Sequence, residues 1–166
     1  AVGTMTVTAE VSAISGQDVT VPFTVTGTAS GSGTDYTISV SPITITAGST
    51  TGTATITVAD DALDENNETV ILTIGTPTNA SQGATTVHTA TITDDDSAPT
   101  VAFTAASQTV AEDAGEATIT AQLSAASGLD ITVPFTMTGT AANPADYSIT
   151  TSPITISAGS TTGTIT

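Results

Sequence analysis

The chain repeats itself. Val21-Pro22-Phe23-Thr24-Val25-Thr26-Gly27-Thr28-Ala29 returns as Val133-Pro134-Phe135-Thr136-Met137-Thr138-Gly139-Thr140-Ala141, 112 residues further on. Asp35-Tyr36 returns as Asp146-Tyr147, and the stretch from Ser41 to Gly52 returns from Ser152 to Gly163 with one change, Thr46 to Ser157, both at a spacing of 111. The lost residue falls between Ala29-Ser30-Gly31-Ser32-Gly33-Thr34 and Ala141-Ala142-Asn143-Pro144-Ala145, where Gly, Ser and Pro crowd as in a loop that tolerates indels. A period near 111 means one structural unit used again. The 166 residues hold about one and a half such units, divided here into residues 1–98 and 99–166.

Within a unit the apolar residues alternate with period two. Val19, Val21, Phe23 and Val25 point one way, and Thr20, Pro22, Thr24 and Thr26 the other. Ala54, Ile56 and Val58 alternate with Thr53, Thr55 and Thr57; Val70, Leu72 and Ile74 follow the same rule, as do Ala90 and Ile92. Such one-sided patterning predicts antiparallel strands with one face on a core. No stretch carries the 3.6-residue period of a helix. Several short strands between Gly, Ser, Asn and Asp turns, in about 111 residues, read as an all-β, two-sheet antiparallel sandwich. About a quarter of the residues are Thr, which suits strands because it is β-branched.

Charge narrows the function. There is no Lys or Arg, against 16 Asp and Glu and one His, for a formal charge of −16. Nothing can neutralise phosphates, so nucleic acids and anionic membrane surfaces are not expected partners. No Cys is present, which excludes disulfides, thiolate metal sites and thiol nucleophiles. No apolar run is long enough to span a membrane, and no secretory leader is visible. An enzyme is not expected. The chain is not of the disordered acidic type either, since only 10% of its residues are charged while 38% are hydrophobic.

The carboxylates cluster. Asp60, Asp61, Asp64, Glu65 and Glu68 crowd the turn after the strand ending at Val58; Asp94, Asp95 and Asp96 follow the strand Thr89–Thr93. Asp35 follows a Gly-rich loop, and Glu112 and Asp113 lie between strands of the second unit. Turns that close alternate strands of a sandwich gather at one end, so these clusters are expected to converge. Two unit charges 4 Å apart repel by about 4 kcal/mol at an effective dielectric near 20. A hard cation relieves that repulsion directly. Ca²⁺ takes six to eight oxygens at flexible geometry, whereas Mg²⁺ keeps water and Zn²⁺ prefers Cys and His. Calcium is therefore the expected cofactor.

These residues resemble a known family. Asp60-Asp61-Ala62-Leu63-Asp64-Glu65-Asn66-Asn67-Glu68-Thr69-Val70 is similar to the Calx-β signature, and Gly27-Thr28-Ala29 leading to Asp35-Tyr36, with its copy Gly139-Thr140-Ala141 leading to Asp146-Tyr147, adds to it. So do Thr91-Ile92-Thr93 running into Asp94-Asp95-Asp96 and the opening Val110-Ala111-Glu112-Asp113-Ala114-Gly115. Calx-β modules are Ig-like sandwiches that bind clustered Ca²⁺ at one tip, in sodium–calcium exchangers, integrin-associated receptors and very large microbial surface proteins. The resemblance implies Ca²⁺ ligands at Asp35, Asp60, Asp61, Glu65, Asp94, Asp95 and Asp96, with Glu68 as ligand or loop-orienting residue. Glu112 and Asp146 hold the matching positions of the second unit. Asp64 falls where the family usually has an apolar or aromatic residue and is left out. The first unit has no counterpart of Glu112 or of a strand like Val101–Val110, and the second stops at Thr166 before any counterpart of Asp60 or Asp94.

Other features have bland readings. His88 shares strand parity with Ala90 and Ile92, so a structural histidine near the end of the core face is expected. Asn67-Glu68-Thr69 and Asn79-Ala80-Ser81 match the N-glycosylation pattern, which arises easily by chance in Thr-rich sequence. The Thr rows are read as solvent-facing. The expectation is a calcium-binding structural repeat of an extracellular, cell-surface adhesin or filament. Its partners would be neighbouring repeats of the same long chain, or other copies by strand complementation. The alternatives are a regulatory Ca²⁺ sensor and a ligand-binding module using the Thr array or the Ca²⁺ tip.

Overall fold

The computed structural model describes residues 3–113 and 115–166; Ala114 of the Val110–Gly115 opening, and Ala1 and Val2, lie outside the described residues. Thirteen strands and no helix occur among them. They are β1 (Thr4–Glu10), β2 (Val19–Val21), β3 (Phe23–Gly27), β4 (Tyr36–Ile38), β5 (Ile43–Ile45), β6 (Thr51–Val58), β7 (Glu68–Ile74), β8 (Val87–Ile92), β9 (Val101–Phe103), β10 (Ile119–Leu123), β11 (Ile131–Val133), β12 (Ile154–Ile156) and β13 (Thr162–Ile165). No helix is long and apolar enough to cross a membrane.

The chain divides into two compact units. Unit 1 contains residues 1–61 and 67–93, and unit 2 contains residues 62–66 and 94–166. Unit 1 has three antiparallel ladders, β1-β6-β4, β3-β7-β8 and β2-β5. One apolar core joins them, built from Val7, Val19, Val21, Phe23, Tyr36, Ile43, Ile45, Ala54, Ile56, Val70, Leu72 and Ala90. Two sheets sharing one core make the sandwich that the alternation predicts. Each fully buried Ile contributes about 1.5–3 kcal/mol relative to exposure. Unit 2 has the ladders β13-β10-β9 and β11-β12, over a smaller core of Ala121, Leu123, Ile154, Ile156 and Ile165.

The alternating Thr residues face outward, as Thr53, Thr55, Thr89 and Thr91 are exposed. Two expectations need correction. The continuous strand from Val19 to Val25 is broken at Pro22 into β2 and β3, because proline brings no N–H to the ladder. The next amide, Phe23 N–H, donates instead to Ser41 Oγ at 2.9 Å. Phe135 N–H repeats this with Ser152 Oγ at 3.0 Å. The opening strand expected over Val101–Val110 is only Val101–Phe103, since β10 offers a ladder to that stretch alone.

Candidate metal centre

The fold gathers the acidic positions of unit 1 by strand direction. Tyr36 pairs with Val58, so the start of β4 lies beside the end of β6, and Ala59 N–H donates to the Asp35 carbonyl at 2.8 Å. Asp35 thus stands next to the strand end that runs into Asp60 and Asp61. The same loop leads to Glu68, the first residue of β7, which pairs with Ile92 near the end of β8. Asp35, Asp60, Asp61 and Glu68 therefore belong to one end of unit 1, and the chain passes from Thr93 to Asp94 at that end. The convergence expected of the backbone positions is present.

The side chains are arranged less simply. Among the described residues, no three His, Cys, Asp or Glu side chains stand together as a group that could hold a metal ion. Asp60, Asp61 and Asp95 are exposed, while Asp35, Glu65, Glu68, Asp94 and Asp96 are half-buried. Asp35 Oδ2 accepts from the Ser30 N–H of its own loop. Asp146, its counterpart, does the same with the Ala142 N–H at 2.7 Å. An amide dipole near at hand is a ready partner for a carboxylate that has no cation in the whole sequence to pair with.

In unit 2, Glu112 and Asp146 line one cleft of about 630 Å³, together with Glu116, a residue the motif reading did not single out. Glu116 has no acidic counterpart at Thr4, so the repeat gives no signal for it. The segment 62–66 also groups with unit 2. Its Glu65 lies over Gly128 so closely that a Cβ there would fall 2.6 Å from Glu65 Cγ. Asp64 is bound structurally. Ser127 Oγ donates to its carbonyl at 3.0 Å and sits 3.2 Å from Oδ2, and Gly128 N–H donates to the same carbonyl at 3.1 Å. Ser127 is 1% exposed, so this is a buried polar anchor.

His88 keeps the expected parity, opposite Leu72, but it is exposed rather than closed into the core. β8 is an edge strand, and His88 lines the groove beside it. It also stands near the strand end opposite Asp94, about 20 Å away along the strand. Asn79 Nδ2 donates to the Asp18 carbonyl at 2.9 Å, which ties up the atom a glycan would need. The donor set at the acidic end is thus carboxylate oxygen alone, which suits a hard divalent cation with many oxygen ligands and suits zinc poorly.

The family model of the Calx-beta domain matches residues 1–96 and again residues 94–166. The chain belongs to the Calx-beta family. Among solved structures, CBD12 from CALX1.2 is 22% identical with a TM-score of 0.51, over 98% of this chain and 66% of that one. Calcium binding domain CBD12 of CALX1.1 is 19% identical with a TM-score of 0.51, over 96% and 66%. This chain therefore spans just under two thirds of either, and the likeness establishes the shared Calx-beta fold. No curated protein matches it.

Proposed function

We propose that this tandem Calx-beta chain is a calcium-binding structural repeat of an extracellular adhesin or surface filament. The observation that carries the reading is the placing of Asp35, Asp60, Asp61 and Glu68 at one end of unit 1, where the chain runs on into Asp94, Asp95 and Asp96. Those residues, with Glu65, would hold the ion in unit 1, and Glu112 and Asp146 would serve the cleft of unit 2. The bound ion supplies positive charge that the sequence lacks, and its binding would order the carboxylates that now bond to nearby amides. Near-identical copies suit a spacer, and a chain without Lys or Arg offers no trypsin-type cleavage site to its surroundings.

A regulatory Ca²⁺ sensor is the second reading, favoured by the likeness to a solved chain described as calcium binding domain CBD12 of CALX1.1. Affinity separates the two. Extracellular modules bind Ca²⁺ at about 10⁻⁴–10⁻³ M and sensors at about 10⁻⁷–10⁻⁵ M. Thermal unfolding of the chain, titrated with Ca²⁺ or Mg²⁺ against EDTA, is the test. A Ca²⁺-selective rise that sets in near millimolar supports the spacer, with about 1.4 kcal/mol per ion at tenfold excess. A rise near micromolar, with a change of shape in solution scattering, supports the sensor. Asp60→Asn with Asp61→Asn should remove most of the rise. Identical curves in Ca²⁺ and EDTA would sink both.

A further inference from the structure

The two units treat the same strand edge differently. β10 is paired on both sides, Ala121 standing opposite Gly163 of β13 and Phe103 of β9. Its counterpart, β1, lies 112 residues earlier and is paired by β6 alone among the described residues. In unit 2, Thr104 N–H donates to the Thr120 carbonyl at 3.0 Å and Ser124 N–H to the Thr100 carbonyl at 2.9 Å. The matching positions of unit 1 are Thr8 and Ser12. Val11 N–H donates towards β6, to the Thr50 carbonyl at 2.9 Å, so alternation aims the amides of Glu10 and Ser12 at the opposite edge. Burial follows pairing. Ala121 and Leu123 are 1% and 4% exposed, while their counterparts Ala9 and Val11 are only half-buried. Beside this edge runs a groove of about 300 Å³ whose lining includes Val7, Val19, Phe23, Leu72, Ile74 and Val87.

We propose that this edge and groove accept the Thr100–Thr104 segment of a second copy of the chain, added antiparallel to β1. Three observations favour that occupant. The segment already docks on Ala121-Gln122-Leu123-Ser124-Ala125, and the empty edge reads Ala9-Glu10-Val11-Ser12-Ala13. Val101 and Phe103 remain 43% and 54% exposed, on a strand whose outer side is open among the described residues. Residues 97–111 carry no charge, so the segment approaches a chain of net charge −16 without repulsion. The contact joins two different surfaces, and such head-to-tail pairing extends into open chains of molecules. It does not rest on metal binding.

The probe is a synthetic peptide of the sequence Pro99–Gln108, titrated into the isotope-labelled chain and followed by NMR. One-to-one binding with shifts confined to Thr8–Ser12, Val87 and His88, and none with a scrambled peptide, is the expected result. Sedimentation should show concentration-dependent association of the chain that excess peptide disperses. Glu10→Pro removes the edge N–H while leaving the β6 side intact, and should weaken association about tenfold. Phe103→Ser should weaken it from the donor side, with circular dichroism reporting that both variants stay folded. Failure of the peptide to bind, or association that survives both substitutions, overturns the proposal. Peptide binding at this edge by a chain that remains monomeric overturns the second copy as its occupant.

Discussion

Phe23-Thr24-Val25-Thr26-Gly27 and Phe135-Thr136-Met137-Thr138-Gly139 differ at one residue, yet the first is strand β3 and the second forms no strand. β3 is bonded along its length to β7, Phe23 facing Ile74 and Gly27 facing Val70, and the 166 residues contain no second β7. Phe23 is 8% exposed, and Phe135 is only half-buried. Ile43–Ile45 and Ile154–Ile156 teach the converse. Both have a partner, β2 or β11, and all four isoleucines are at most 4% exposed. Identical β-propensity becomes a strand only where a neighbour completes its hydrogen bonds and covers its apolar face.

Unequal cores should give unequal stability, and the largest effects lie there. Ile45 and Ile156 are counterparts at 1% and 0% exposure, inside cores of twelve and five buried apolar residues. Each Ile→Ala change should cost about 2–5 kcal/mol through lost transfer energy and a cavity. Calorimetry of the intact chain should show two transitions. Ile156→Ala should lower only the first, belonging to unit 2, and Ile45→Ala only the second. A single transition moved equally by both substitutions breaks the comparison.

What could be read in advance follows from the range of the interactions. Alternation along Val19–Val25 and Ala54–Val58 is local, so faces and sandwich were legible, and the family signature located the acidic turns. The break at Pro22 was less visible, because it is settled by Ser41 Oγ taking up the Phe23 amide. The parity of His88 was legible but not its exposure, which depends on whether anything lies beside β8. Asp64 could be set aside as a ligand by its position in the motif, but its partner Ser127 is 63 residues away and no spacing announces it. The acidic positions were readable, while the orientations of Asp35 and Asp146 depend on amides of their own loops.

Glycines sharpen the comparison at intermediate cost. Gly27 has φ +133°, and a Cβ there would collide with the Thr69 carbonyl at the start of β7. Gly139 has φ +146° with nothing within 4 Å of such a Cβ. Both positions disfavour an L side chain, but only the first also meets backbone. Gly27→Ala should cost about 3 kcal/mol or more, from strain and overpacking together. Gly139→Ala should cost about 1–2 kcal/mol, from backbone strain alone. Urea titrations of the two variants check this, and equal losses would mean that the Thr69 approach has little energetic weight.

The smallest expected difference tests the anchor of segment 62–66. Ser15 and Ser127 are counterparts that share a backbone role, each carbonyl accepting from the glycine of a later turn, Gly48 or Gly159. An alanine keeps that bond. Their hydroxyls differ, since Ser15 Oγ accepts only from the exposed Gln17 N–H in the bonds described, while Ser127 Oγ accepts from Leu129 N–H and also donates to Asp64. Ser127→Ala would leave a half-buried carboxylate without that donor, at about 1–3 kcal/mol, against about 0.5–1 kcal/mol for Ser15→Ala. Removing a hydroxyl alone does not show which partner matters. A double-mutant cycle of Ser127→Ala with Asp64→Ala should give a coupling of at least about 0.5 kcal/mol, as expected for residues in contact. Additive losses would mean that the backbone bonds to the Asp64 carbonyl hold the segment, and that the carboxylate at Asp64 remains available for other chemistry.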